Sequence, residues 1–204
     1  MRRGPWSAAA PRVYDALMAP IEALGMRRMR GALWSRVAEG GAGLEIGAGS
    51  GASTTARVGG ARVVGTDLSP QMLARARARG ARHPLVAADV QALPFRDGAF
   101  DWVVASLLFC EVPDPPRGLA EVHRVLRPGG SLHLLEHVRP DGMLGALASA
   151  ATRVTAPLFG EHFDRRTVDD VARAGFAIER LERRLHGGIV LLVARRLNPS
   201  EAER

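Results

Sequence analysis

Apolar residues recur along this chain in two rhythms. Val13, Leu17, Ile21 and Leu24 are spaced as on one face of a helix, and so are Met26, Met29, Leu33 and Val37. Two amphipathic helices are therefore expected ahead of residue 40, with Arg27, Arg28, Arg30 and Arg36 on other faces of the second and Gly40-Gly41 ending it. From Leu44 onward, short apolar runs alternate with helical stretches. Residues 44–46, 62–66, 85–88, 100–106 and 131–136 read as strands. Ser69-Pro70 supplies an N-cap and a first-turn proline for a helix reaching Gly80. Another helix is predicted from Pro116 to Leu126, stopped by Arg127-Pro128-Gly129-Gly130. Residues 142–174 look mostly helical with a break at Pro157. Residues 176–184 and 189–196 read as a closing antiparallel pair around His186-Gly187-Gly188.

Strands alternating with helices predict an α/β fold: a parallel, doubly wound sheet covered on both faces. The expected organisation is a helical cap over residues 1–40, a main domain over 41–197 with a helical insertion at 142–174, and a polar tail at 198–204. A chain of 204 residues with 47% apolar content suits one domain with one sizeable core.

Composition narrows the chemistry. The formal charge is +7, and all 28 basic side chains are arginine. Without lysine there is no Schiff base, no P-loop lysine and no tyrosine–lysine dehydrogenase pair. Positive charge favours anionic partners: nucleic acid, an acidic membrane face or acidic small molecules. The alternative is a generically basic protein. Cys110 is the single cysteine, so no intrachain disulfide forms and a reducing, cytoplasmic setting fits. Pro5 and Pro11 interrupt the N-terminal apolar stretch, so no signal peptide is expected. No apolar run approaches the ~18 residues of a membrane span.

In open α/β sheets, ligands bind where the strands end. The first strand runs into Gly47-Ala48-Gly49-Ser50-Gly51, whose bare backbone can turn tightly and aim its amides at a ligand. The second ends at Asp67, about 20 residues on, the separation at which an acid reaches ribose hydroxyls. The third ends at Asp89-Val90, where a carboxylate can accept from an adenine amine. The fourth ends at Ser106-Leu107-Leu108, facing the reacting end. Gly47, Gly49 and Ala52 alone also satisfy a dinucleotide fingerprint. Glu45 two residues ahead of the first glycine, the second acidic strand end and the closing antiparallel pair favour S-adenosylmethionine (SAM).

These stretches resemble the class I SAM-dependent methyltransferases. Leu44 to Gly51, Val64 to Leu73 and Ala88 to Phe95 are similar to successive motifs of that family, as are Phe100-Asp101 and Glu121 to Gly130. The likeness is nearest to the branch acting on quinone precursors, phospholipid amines and alkyl thiols. It implies a Rossmann-like seven-stranded sheet, mostly parallel with an antiparallel last strand. It implies SAM as cofactor, S-adenosylhomocysteine as product and no metal. Carried over by position, Gly47, Ala48, Gly49 and Gly51 would cradle the methionine part, with Glu45 beneath. Asp67 would hold the ribose, with Leu68 and Met72 flanking the adenine and Asp89 and Val90 at its edge. Ser106 and Leu107 would stand near the sulfonium, and Tyr14 would close over the cofactor.

Methyl transfer depends on alignment and exclusion of water, and a base is needed only for some acceptors. His137 follows the fifth strand and stands where a base or acceptor-orienting group would; the alternative is a hydrogen-bonded structural histidine. Cys110 reads as a buried, inert thiol. His162 with Glu161 and Asp164 lacks zinc spacing and reads as a polar patch. The arginine-rich N-terminal helices, with Trp6 and Trp34, suit either a lid resting on anionic lipid or a cap packed on the core. The expected partner is a small-molecule or lipid acceptor, with oligomeric state left open. Nucleic acid is disfavoured because Ser106-Leu107-Leu108-Phe109 offers no planar clamp for a base amine.

Overall fold

Strands β1 (Ala42–Ile46), β2 (Arg62–Asp67), β3 (Leu85–Ala87), β4 (Phe100–Ser106), β5 (Leu126–His137), β6 (Phe176–Arg184) and β7 (Ile189–Arg196) form one sheet in the order β3-β2-β1-β4-β5-β7-β6. The computed structural model describes residues 11–52, 61–159 and 162–198. Strands β1 to β5 pair in parallel. Strand β7 lies antiparallel between β5 and β6, with Leu134 opposite Leu192. The doubly wound class and the antiparallel last strand are as the sequence predicts. The helices are α1 (Pro11–Ile21), α2 (Arg27–Trp34), α3 (Pro70–Ala78), α4 (Pro115–Val125), α5 (Gly142–Phe159) and α6 (Thr167–Arg173).

The central strands read as unbroken apolar runs because both their faces are buried. On one face Leu44, Ile46, Val103, Ala105, Leu132 and Leu134 pack against Leu119, Val122 and Val125 of α4. On the other, Trp102, Val104 and Leu135 pack against Met26, Leu33, Trp34 and Val37 of the N-terminal cap. The Ser69 hydroxyl accepts the Met72 N–H at 3.3 Å, the predicted cap of α3.

Four local expectations are corrected. The later part of the stripe on the first helix does not seek the core: Ile21 is 45% and Leu24 88% exposed, while the side chains of Val13 and Leu17 lie outside the described residues. A wider helical turn, Glu22–Met26, joins α1 to α2 around Gly25 at φ 139°, and that kink rotates the stripe away. Helix α2 ends at Trp34; Gly40 and Gly41, at φ 82° and 75°, instead steer the chain into β1. The Arg127-Pro128-Gly129-Gly130 breaker lies inside β5, as an irregular opening where the register with β4 shifts between Phe100 and Trp102. Gly130 makes this possible, because a Cβ there would sit 2.9 Å from the carbonyls of Arg127 and Asp101. Finally, α5 runs through Pro157 to Phe159. A proline so near the helix end forfeits little of the hydrogen-bond ladder.

Trp102 is the largest side chain of the inner layer. Its indole N–H donates to the Gly40 carbonyl at 3.1 Å, and its ring meets Trp34 edge-on at 6.0 Å. A Cβ at Gly43 would come within 2.1 Å of that indole. Gly43→Ala is expected to lower stability by about 1–3 kcal/mol through overpacking, read as a lower urea midpoint. An unchanged midpoint would show that the Trp34–Trp102 pair is not held in place.

Candidate functional site

Beyond β1, the chain makes a turn that depends on glycine: Gly47, Gly49 and Gly51 have φ of 69°, 54° and 86°. Side chains rarely tolerate this left-handed region. The Ala48 N–H donates to Thr66 O at 2.8 Å, tying the turn to the neighbouring strand. Asp67, at the end of β2, closes the arrangement. One of its carboxylate oxygens accepts the Gly49 N–H at 2.8 Å and the other the Ser69 N–H at 2.8 Å. Burial raises the Asp67 pKa, opposed by these two bonds.

The turn is open on the side of Gly49. A Cβ on Gly49 would meet nothing closer than Gly47 O at 4.0 Å, so the backbone there borders open space. Leu68 next to it is 44% exposed, while Met72 behind it is buried. The Ala88 N–H donates to Asp67 O at 3.0 Å, which sets Asp89 beside Asp67. Asp89 accepts the Gln91 N–H at 2.9 Å, and Val90 packs on the core beside Gly118. The structure thus gathers Gly47, Ala48, Gly49, Gly51, Asp67, Leu68, Met72, Asp89 and Val90 at the carboxyl ends of β1, β2 and β3 and the start of α3. Glu45 stands apart, buried within β1 with His83 Nε2 at 3.9 Å.

The second half of the site lies at the ends of β4 and β5. Ser106 accepts a hydrogen bond of 2.8 Å from Arg30, which also pairs with Glu22 at 3.0 Å. Leu107 has φ 55° and donates its N–H to Leu135 O at 2.7 Å. A left-handed leucine is a costly conformation, and such residues cluster at functional sites. What holds it is Glu136, a residue sequence reasoning did not single out as a site residue. Its carboxyl accepts the N–H groups of Leu108 at 2.9 Å and Phe109 at 3.0 Å. Leu108 in turn lies so close to Gly47 that a Cβ there would be 3.0 Å from Leu108 Cδ1. The only local signal for Glu136 is a carboxylate directly after the apolar Leu134-Leu135.

His137 ends β5, with its ring edge-on to Phe163 at 5.4 Å. Burial lowers its pKa, opposed by a hydrogen bond to the Gly188 backbone. A lowered pKa favours the neutral imidazole at pH 7. Tyr14 falls in α1, and its side chain lies outside the described residues. Its neighbour Asp15, also missed from sequence, reaches the glycine turn: it accepts from the Ser50 hydroxyl and pairs with Arg75 and Arg79, each at 3.0 Å. Burial works to raise the Asp15 pKa, but Ser50 and the two guanidiniums outweigh it and hold it low. In the cap, Arg30 and Arg36 turn inward to partners and Trp34 is buried. Of the four arginines read as a surface there, only Arg27 and Arg28 remain exposed. His162 donates its backbone N–H to Cys110 O, and Glu161 lies outside the described residues.

Glu136 is fully buried, and burial pushes its pKa up to about 7 against the Phe109, Leu108 and Cys110 amides and the Arg30 guanidinium. A raised carboxyl pKa favours folding when protonated, so Glu136 costs stability as pH rises from its ordinary 4.5 towards about 7. Glu136→Gln keeps an acceptor oxygen without the charge, so its stability relative to the parent should grow across that window in urea melts. Glu136→Leu strands two buried N–H groups and is expected to cost about 1–3 kcal/mol or more. A pH-independent difference between Glu136→Gln and the parent would remove the charge argument.

Comparison with known proteins agrees with this geometry. Residues 44–134 match the family model described as a methyltransferase domain. A demethylmenaquinone methyltransferase of Thermus thermophilus is 42% identical over 109 residues, covering 51% of this chain and 50% of that enzyme. A phosphatidylethanolamine N-methyltransferase of Cereibacter sphaeroides is 37% identical over 151 residues, covering 71% of this chain and 68% of that one. The matched stretch thus spans about half the length of the Thermus enzyme. Among solved structures, a methyltransferase in complex with the Haloferax volcanii Trm112 activator superposes with a TM-score of 0.77 at 21% identity, covering 97% of this chain and 100% of that one; this likeness speaks to the fold. Sheet order, glycine turn and paired acidic strand ends together with these relatives make the chain a member of the class I SAM-dependent methyltransferases.

Proposed function

We propose that this protein transfers the methyl group of SAM to a small, substantially apolar or lipid-like acceptor: a quinone precursor, a phospholipid amine or an alkyl thiol. The observation that carries the reading is Asp67 hydrogen-bonded to Gly49 at the open mouth of the glycine turn. SAM supplies a carbon already activated by its sulfonium. The chain contributes position and protection from water. Asp67 holds the ribose hydroxyls, and Leu68 and Met72 flank the adenine. Asp89 accepts from the adenine amine, with Val90 alongside. The backbone of Gly47, Ala48, Gly49 and Gly51 receives the methionine part. Ser106 and Leu107 border the reacting end, and Tyr14 closes over it from α1. His137 would orient the acceptor and take up its proton on the imidazole as the methyl group passes from the sulfonium to the acceptor atom, leaving S-adenosylhomocysteine. The acceptor class is supported by the matched relatives, one named for demethylmenaquinone and one for phosphatidylethanolamine. Among the described residues, no helix is long and apolar enough to cross a membrane.

In thermal-shift titrations, SAM and S-adenosylhomocysteine are expected to raise the apparent melting temperature and NAD to leave it unchanged. A response to NAD alone would overturn the assignment. Asp67→Asn should weaken the SAM response by about tenfold or more, the worth of a hydrogen bond to a charged group. An equal response would remove the ribose role. His137→Gln should leave the SAM response intact and lower kcat for labelled-methyl transfer by about 100-fold, at the low end for a general base. Undiminished turnover on quinols, phosphatidylethanolamine and thiols would return His137 to a structural role.

A further inference from the structure

Helix α5 carries its apolar side outward. Met143 is 82% exposed, Leu147 61% and Val154 61%, with Leu144 at 47% beside them. Their spacing, with Ala150 and Ala151 between, places them along one face of the helix. The polar side chains turn the other way. Thr152 is buried, donating to Ala148 O at 3.0 Å and accepting the Phe163 N–H at 3.0 Å. Ser149 donates to Gly145 O at 3.0 Å, and Gly145 itself is pressed against Pro140. Arg153 is the one charged residue of the helix.

A further exposed apolar side chain lies on the turn that touches Pro140, just ahead of this helix. The turn Leu185–Gly187 between β6 and β7 leaves Leu185 63% exposed. Gly188, directly after it, lies against Pro140, within 3.7 Å of the proline ring for a Cβ built there, and takes the Val138 N–H at 3.0 Å. Leu185 and His186 have φ of 48° and 54°. Two successive left-handed non-glycine residues keep the leucine outward at a conformational cost. Arg139, Arg153 and Arg183 accompany these elements and form no ion pair among the described residues.

We propose that the outward face of α5, with Leu185, docks on a bilayer bearing anionic headgroups. An exposed apolar stripe, with arginines on and next to the same elements that make no ion pair among the described residues, matches the acyl boundary and the phosphate layer of such a surface at once. A second copy of the chain would bring like charge to the same contact, since each carries +7. Helix α5 begins just past His137, so docking sets the acceptor end of the site against the lipid. The inference rests on the lipid-like acceptor argued above, and it moves the membrane-facing surface from the N-terminal arginines to α5.

The test is flotation of the full chain with phosphatidylcholine vesicles, with and without phosphatidylglycerol. Wild type should float with the anionic vesicles and less so at high salt. Leu147→Asp with Val154→Asp, both exposed, should reduce partitioning by about tenfold or more. Replacing Arg139, Arg153 and Arg183 by Ala should abolish the preference for phosphatidylglycerol. Both variants should keep the SAM-induced thermal shift. Wild type that ignores the vesicles, or aspartate variants that bind them undiminished, would overturn the docking surface. So would a concentration-dependent dimer in sedimentation that the aspartate substitutions dissolve, because the face would then belong to a second copy. A chain that binds SAM but no vesicle keeps its methyltransferase reading, whereas a chain without a SAM response loses that reading whatever the vesicles show.

Discussion

Both oxygens of the Asp67 carboxylate take a backbone N–H, one from the turn after β1 and one from the entrance to α3. The bond to Gly49 requires the left-handed path of the glycine turn. The bond to Ser69 sets the residue that caps α3 through its hydroxyl. A buried carboxylate is costly unless it is hydrogen-bonded, so the turn and the helix entrance supply what the burial of Asp67 demands. The arrangement also leaves capacity for a ligand. A carboxylate offers about four acceptor sites, and two are occupied here.

The turn after β4 repeats this device in a drier setting. Glu136 receives two amides of the turn after β4, just as Asp67 receives those around β1 and β2, but it is wholly buried. Its protonation is therefore balanced near neutrality, while Asp67 is only partly buried. The two halves meet through Leu108, which fills the space a Cβ at Gly47 would need. A change in the turn after β4 would be felt by the glycine turn directly. The N-terminal cap is bolted to both halves, through Asp15 onto Ser50 and through Arg30 onto Ser106. Lifting it would require breaking those contacts, together with the ion pairs of Asp15 to Arg75 and Arg79 and of Arg36 to Glu182, and exposing Met26, Leu33 and Trp34.

What could be read from the sequence was what local pattern encodes. Each strand lies where its apolar run predicts, because the runs at β1, β4 and β5 are buried on both faces. The Ser69-Pro70 entrance and the glycine turn carry their own chemistry in consecutive residues, so Gly47, Gly49 and Asp67 were found together. Asp15 and Glu136 were missed as site residues because their partners, Ser50, Arg75 and the amides of Leu108 and Phe109, are remote in sequence. Nothing beside them in the chain announces the contact. The outward Leu24 misled for the opposite reason. Helical spacing was present, but the kink at Gly25 decided which way that side pointed. Pro157 shows that a breaker matters only where a helix would otherwise continue for several turns.

Arginine content illustrates how far charge counting reaches. Arg124 alone donates to Glu121, Asp97 and the carbonyls of Phe95 and Leu93, fastening the loop after β3 to α4. Arg30 spans Glu22 and Ser106, and Arg36 reaches Glu182 across the sheet. The planar guanidinium has five donors, so one side chain can hold several acceptors at once in a way that an ammonium on a flexible stem does not. Much of the basic character is thus consumed by structure and says little about partners. The charge that does bear on partners is what remains unpaired beside apolar surface. Among the described residues, that combination occurs at α5 and the β6–β7 turn, just beyond the carboxyl end of β5.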